Sequence, residues 1–205
     1  MQSIWLSLQS ACKLKLHSIY ITVRDRGFGA LVSASIGVLR SFFNQNLLGQ
    51  RYIKRKIYDY VMWLDLEDRG ISRSLLLFGK RELDHKLILE HALRPGMSVL
   101  DIGANIGYYT LMMLRLIGPN GTLIAVEPSP SNVSLLKRNL LLNGHSDIEV
   151  HQKAVSEISG VRDFFLSEMS NLNTFHNTGT GTKHLSGTTI AVKTETVRKI
   201  AAGRQ

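Results

Sequence analysis

A doubly wound α/β fold, strands alternating with helices, follows from three observations on this 205-residue chain. Val99–Ile102 is a short apolar run carrying one acid, Asp101, and it breaks at once into Gly103-Ala-Asn-Ile-Gly107 before a helical apolar pattern. A second strand, Gly121-Thr-Leu-Ile-Ala-Val126, ends in Glu127-Pro128. A third, Ile148–Val155, follows a helical stretch that opens at Ser129-Pro130 and closes at Gly144. Strand, helix, strand, helix, strand in this order winds into a right-handed parallel sheet.

The connection after the first strand is where a ligand is expected. Glycines let backbone approach a ligand closely, and a helix start aims its positive dipole end at the same place. A dinucleotide fingerprint would need G-x-G-x-x-G, whereas this chain has D-x-G-x-N-x-G, with an acid inside the strand. Asp101 suits a ligand with a cationic amine better than a diphosphate. Glu127, at the tip of the second strand, offers two oxygens to a pair of ribose hydroxyls. An adenosine with an amino-acid tail meets both acids, and S-adenosylmethionine (SAM) is such a molecule.

Hydrophobic residues make up 44% of the chain and charged residues 20%, ordinary for a globular protein with one sizeable core. Cys12 is the single cysteine, so no intramolecular disulfide framework exists and a reducing, cytoplasmic setting is expected. No Cys/His grouping has metal-ligand spacing, and the seven scattered histidines read as surface or packing residues. Up to Lys56, nine Lys and Arg stand against Asp25 alone, so +8 of the chain's +9 lies there. Residues 1–56 are therefore expected to be a basic, mainly helical extension and 57–205 the ligand-binding domain. A solvated helical face and peripheral contact with an anionic membrane surface both fit that leader. Its apolar runs, such as Ala30–Leu39, fall short of the ~18 residues of a membrane span.

Arg51–Lys56 reads as a basic boundary run. Tyr58–Leu66 then alternates like a strand, and Glu67-Asp-Arg-Gly70 is a turn. Ile71–Leu77 predicts a short helix closed by Gly79. Arg81–Leu93 predicts an amphipathic helix with Leu83, Leu87 and Ile88 inward, stopped by Pro95-Gly96. Tyr108–Ile117 is apolar nearly all round and so is a buried helix, ending at the turn Gly118-Pro-Asn-Gly121. Strands are expected at Val161–Leu166 and Thr188–Val197, joined by a Gly/Thr/Asn-rich loop over 171–187 that is either an ordinary connection or a lid.

From about Trp63 to Thr196 the chain resembles the FkbM-type family of class I SAM-dependent methyltransferases. The resemblance rests on Trp63-Leu-Asp-Leu-Glu-Asp-Arg-Gly-Ile-Ser72, Phe78-Gly-Lys-Arg-Glu82, Leu100-Asp-Ile-Gly-Ala-Asn-Ile-Gly-Tyr-Tyr-Thr110, Glu127-Pro128, Asn139 with Asn143, and Ala154-Val-Ser156. It implies a Rossmann-like class I methyltransferase sheet with SAM as cofactor, held by Asp101, Gly103, Ala104, Asn105, Gly107, Glu127, Pro128 and, beside the adenine, Ala154. Glu82 stands where the family has its own Glu, although a first-turn acid favoured by the helix dipole reads equally well. The implied reaction is O-methylation of a hydroxyl on a sugar or secondary metabolite, with a small-molecule or saccharide partner and no nucleic acid. No residue is assigned as catalytic base.

The family continues after a T-[apolar]-D turn into a fourth strand ending in D-x-E-G-x-E. Here Arg198 follows Thr196-Val197 and the sequence ends at Gln205, so a C-terminally incomplete sheet is expected. A non-catalytic SAM- or partner-binding remnant is the alternative that incompleteness favours. A nucleic-acid methyltransferase is the alternative that the basic leader favours.

Overall fold

A computed structural model describes residues 24, 27–175 and 185–202. The chain divides into two compact units, Met1–Arg51 with Leu76–Phe78, and Tyr52–Leu75 with Gly79–Gln205. Residues 1–23 of the extension expected to be basic and mainly helical lie outside the described residues.

In the first unit, α1 (Phe28–Asn46) is nearly uncharged, with Arg40 its one ionisable residue. Its buried Gly37 is required by close approach, because a Cβ there would stand 2.7 Å from the Leu76 carbonyl oxygen. The Ser33 hydroxyl donates to the Leu77 carbonyl at 2.9 Å beside it. No helix among the described residues is long and apolar enough to cross a membrane.

The second unit opens with a hairpin, β1 (Tyr52–Ile57) against β2 (Tyr60–Asp65), in antiparallel register from Tyr52↔Asp65 to Ile57↔Tyr60. The basic run 51–56, expected as a boundary, is thus mostly strand. Ile53 and Ile57 are buried while Lys54 and Lys56 face outward, and Arg55, half-buried, shares the face of the two isoleucines in this pleated element. Helices α2 (Ile71–Phe78), of which Leu76–Phe78 count with the first unit, and α3 (Leu83–Ala92) follow. Gly79 closes α2 in the left-handed region at φ 68°, as its position past the last apolar turn predicts.

The inward face expected for α3 is corrected. Leu83, Leu87 and Ile88 are 46%, 62% and 61% exposed, and the helix has no buried residue. The physical reason lies in the sheet that follows. Strands β3 (Ser98–Ile102), β4 (Thr122–Val126) and β5 (Glu149–His151) run parallel in the order β3-β4-β5, so β3 is its edge. Among the described residues no strand lies beyond β3 to complete a layer for α3 to cover.

Crossover helices α4 (Tyr108–Ile117) and α5 (Pro130–Leu142) complete the strand–helix alternation, and the fold is the expected α/β, Rossmann-like parallel sheet. The core is Leu123, Ala125 and Val126 on β4 with Tyr108, Leu111 and Ile117 on α4 and Leu136 and Leu140 on α5, all buried. Asn139 on α5 and Asn143 at its C-terminal cap hold the hairpin. Asn139 accepts from Trp63 N–H at 2.7 Å and donates to its carbonyl at 3.2 Å; Asn143 does the same to Val61 at 3.0 and 2.7 Å. Asn139 also donates to the Ile106 carbonyl at 2.8 Å, so one buried side chain joins the hairpin to the glycine turn.

The run 148–155 is not one strand. It breaks after β5, where Lys153 N–H turns back onto the His151 carbonyl at 3.0 Å, a three-residue turn that redirects the chain. The short β6 (Ala154–Val155) then joins a second sheet of order β6-β8-β7, with β7 (Gly160–Ser167) and β8 (Leu185–Glu195). β8 stops at Glu195, because Thr196 caps a short helix, α6 (Val197–Ala201), by accepting from Lys199 N–H. The start of the expected loop is ordered. A 3₁₀ turn occupies Ser170–Leu172, and Thr174 pairs with Phe165.

Candidate functional site

The expected ligand position is built by β3, β4 and the turn between β3 and α4. Gly103 N–H and Ala104 N–H both donate to the Val126 carbonyl, at 2.8 and 3.1 Å, folding the turn over the end of β4. Asn105 is left-handed at φ 50°, and its side chain caps Ile106 N–H at 2.8 Å. Asn105 N–H donates to Glu127 Oε2 at 2.9 Å. The amides of Gly103 to Ile106 are therefore engaged within the protein. What the glycine at 103 supplies is room: at φ 80°, a Cβ there would meet nothing within 4 Å.

That room belongs to a cavity of about 470 Å³. Gly103, Ala104, Asn105, Glu127, Pro128 and Ala154 all border it, six of the eight residues the sequence nominated. Asp101 and Gly107 do not border it. Gly107 has φ 94°, and a Cβ there would press on Leu136 Cδ1 at 2.8 Å, so this glycine serves the turn and the α4–α5 packing. Asp101 lies in β3 opposite Ala125, and Glu127 is two residues further along, which puts both acids on one face of the sheet. Asp101 Oδ2 accepts from the Thr110 hydroxyl at 2.6 Å, and among the described residues its other oxygen has no donor.

Glu127 is more committed than the sequence suggested. Oε1 accepts from Ser129 N–H at 3.0 Å and Asn132 Nδ2 at 3.1 Å, while Oε2 accepts from Asn105. Three of roughly four lone-pair positions are filled, leaving room for one hydroxyl rather than two. Burial pushes the Glu127 carboxyl above the usual range, the three donors pull it back, and the charge of Asp101 adds to the rise. Burial raises Asp101 as well, against the Thr110 hydrogen bond. The two carboxylates feel each other, and a ligand carrying positive charge relieves both.

This has a measurable sign. A raised folded-state pKa means that the folded chain keeps protons the unfolded chain has already released. Stability from these groups therefore falls as pH rises from the ordinary carboxylate range through the raised values. Urea melts at pH 5 and 7.5 are expected to show the ligand-free chain losing stability with rising pH. Asp101→Asn, which keeps an acceptor for Thr110, should flatten that slope; an unchanged slope in this variant would contradict the assignment.

Residues far apart in sequence complete the cavity. Asp68 Oδ1 accepts from Gly70 N–H at 2.9 Å and Ser170 N–H at 3.0 Å; Oδ2 accepts from Ser72 N–H at 2.8 Å and the Ser170 hydroxyl at 3.1 Å. The Ser170 carbonyl in turn accepts from Asn105 Nδ2 at 3.0 Å. The 3₁₀ turn is thereby tied to the glycine turn, and Ser170, Asn171 and Asn173 form part of the wall. A Cβ at Gly70 would run into the Asn171 side chain. The sequence shows 67–70 as a turn, and the one local signal of this further role is the D-x-G-x-S spacing of Asp68, Gly70 and Ser72, suited to capping a helix start. Phe164 and Phe175 border the same space with rings 5.0 Å apart.

Arg81, Glu82, Tyr108 and Tyr109 also border the cavity. Glu82 is left-handed at φ 48°, and its carboxylate accepts from Arg81 Nε at 2.7 Å and from the Tyr109 hydroxyl. Burial alone would raise it, yet the Tyr109 hydroxyl, Arg81 and His85 outweigh that and hold its carboxyl below the ordinary value. No group of three or more His, Cys, Asp or Glu among the described residues could hold a metal ion.

Comparison with known proteins gives the site a context. The model of the protein-L-isoaspartate(D-aspartate) O-methyltransferase (PCMT) family matches residues 83–160. The protein-L-isoaspartate O-methyltransferase of Methanopyrus kandleri is 30% identical over 117 residues, which are 54% of this chain and 50% of that protein. Its namesake from Methanothrix thermoacetophila is 44% identical over 48 residues, 23% of each chain. The 31-O-demethyl-FK506 methyltransferase FkbM of Streptomyces tacrolimicus is 35% identical over 94 residues, 45% of this chain and 35% of that protein. The chain thus spans half or less of the length of these relatives. All are methyltransferases, and the α/β sheet with its glycine turn and acidic strand tip is that of the SAM-dependent class, with SAM as cofactor. The expected small-molecule or saccharide acceptor is overturned, since the matched family and two of these relatives are named for an aspartyl residue in protein.

Proposed function

We propose that this chain carries the methyl-donor site of a SAM-dependent O-methyltransferase whose acceptor is a carboxyl group on a protein. The observation that carries it is a single cavity bordered by an open glycine turn at Gly103 and by Glu127, with Asp101 on the same sheet face behind them. The likeness to PCMT supports a carboxyl acceptor. The FkbM-type resemblance supports the coarser part, transfer to oxygen, because the names of both kinds of relative specify it.

When bound, SAM supplies an electrophilic methyl group on a sulfonium. Glu127 offers its remaining acceptor position to a ribose hydroxyl. Gly103, Ala104 and Asn105 let the backbone lie close against the ligand. Pro128 and Ala154, with Val155 and Phe164, give an apolar slot for the adenine. Asp101 contributes its charge from behind the turn rather than a direct contact, and Gly107 acts by letting α4 sit on Leu136. A carboxylate acceptor is already ionised near pH 7, so these residues have only to orient it and exclude water, and no general base is needed.

The test is calorimetric titration with SAM, followed by transfer of a labelled methyl group to an isoaspartyl peptide and to its aspartyl counterpart. Saturable binding and a base-labile ester on the isoaspartyl peptide are expected. Binding without transfer to either peptide would remove the proposed acceptor.

A further inference from the structure

Two cations border the cavity; Lys153 faces Glu195 at 3.9 Å, and the donor site leaves Arg81 without a task. Arg81 borders the cavity together with Glu82 and Tyr109, and Glu127 and Ala154 are members of the same lining. Its backbone is clamped from both sides by one hydroxyl: Tyr108 accepts from Arg81 N–H at 3.1 Å and donates to the Arg81 carbonyl at 2.8 Å. Tyr108 is buried, and the Tyr60 hydroxyl donates to its carbonyl at 3.2 Å. The guanidinium is held too. Arg81 Nε donates to Glu82 Oε1 at 2.7 Å, and its side chain is 21% exposed. Glu82 is itself fixed by Tyr109, with His85 Nδ1 3.3 Å away.

A guanidinium has five N–H donors, and this one spends its Nε edge on Glu82. The Nη1/Nη2 edge has no acceptor among the described residues. That end-on edge matches the two oxygens of a carboxylate, and a fork already held in place loses little freedom on binding one. We propose that Arg81 is a carboxylate-binding residue of this site, with Glu82 and Tyr108 as its positioning residues. The assignment rests on the methyl-donor reading given above. Two carboxylates bring the same chemistry to it: the α-carboxylate of SAM and the carboxyl of the acceptor.

The two sources separate by titration of the full chain with SAM and with 5′-methylthioadenosine, which keeps the adenosine and the methyl-bearing sulfur but has neither the sulfonium charge nor the amino-acid tail with its carboxylate. Arg81→Met keeps most of the aliphatic stem. If Arg81 holds the donor, Arg81→Met weakens SAM about 10- to 100-fold and leaves methylthioadenosine unchanged. If it holds the acceptor, both adenosine ligands bind as in wild type and the KM for isoaspartyl peptide rises about tenfold or more at unchanged kcat. Arg81→Lys, charged but without the fork, should recover only part of either loss. Arg81→Met indistinguishable from wild type in all three measurements, while wild type binds SAM, overturns the Arg81 assignment alone. A wild-type chain that binds neither adenosine ligand overturns the methyl-donor reading, and Arg81 falls with it.

Discussion

Glu127→Ala is expected to weaken SAM binding by at least about 100-fold, the largest effect of any single change at this site. Two losses combine. The carboxylate's remaining acceptor position goes, and a hydrogen bond to a charged group contributes about 1.5–3 kcal/mol. The same carboxylate holds Asn105 N–H, so the glycine turn loses the contact that sets its conformation on the cavity side. Ser129 N–H and Asn132 are left without their acceptor beneath the start of α5. Stability of the ligand-free chain responds less simply. Removing a buried acid that is raised by desolvation offsets part of the cost of the orphaned donors. Calorimetry should therefore show affinity lost out of proportion to any change in urea midpoint. Equal affinity in the variant would exclude Glu127 from ligand binding.

Asp68→Ala is expected to cost about 2–4 kcal/mol of folding stability and to weaken SAM by roughly tenfold, although Asp68 does not border the cavity. Its two oxygens accept four hydrogen bonds, from Gly70, Ser72 and twice from Ser170. Donors buried without an acceptor cost on the order of 1–3 kcal/mol each, and water reaches some of these. Released, the 3₁₀ turn loses its tie to 67–72, and its hold on Asn105 through the Ser170 carbonyl loosens. Amide hydrogen exchange reads this directly: Ser170 and Asn105 should exchange faster together in the variant. Fast exchange at Ser170 with Asn105 unchanged would show that the two turns are not coupled.

The parts of the site legible in the sequence were those whose cause is local. Gly103 and Glu127 each sit where a strand ends, and strand ends show in the pattern of apolar runs. The exposed face of α3 was misjudged for a definite reason: periodicity tells which side chains share a face, and it does not tell whether a neighbour covers that face. Likewise 51–56 looked like a boundary because its lysines and arginines hid the alternation of Ile53 and Ile57. The two-residue turn at Tyr58-Asp59 also lacks the Asn-Gly or Gly-Gly chemistry that signals a hairpin. Asp68 and Ser170 meet across 102 positions, and no short-range pattern encodes that meeting. Glu127 was legible as a ligand residue but not as the acceptor already holding the turn, since two of its three donors, Asn105 N–H and Ser129 N–H, are backbone amides that carry no residue-type signal.

The paired asparagines of α5 and its C-terminal cap have a consequence for how the hairpin chooses its alignment. Four residues of helix advance about 6 Å, and alternate residues of a strand repeat every 6.6 to 6.8 Å or so, so Asn139 and Asn143 match the spacing of Trp63 and Val61. Each asparagine engages both the N–H and the C=O of one residue, so a slide of β2 by a single position would present neither group to either side chain. The helix works as a ruler with two graduations. The slipped hairpin, which already turns Met62 and Leu64 out to water, would also forfeit four hydrogen bonds, and the chain is left with one alignment it can keep.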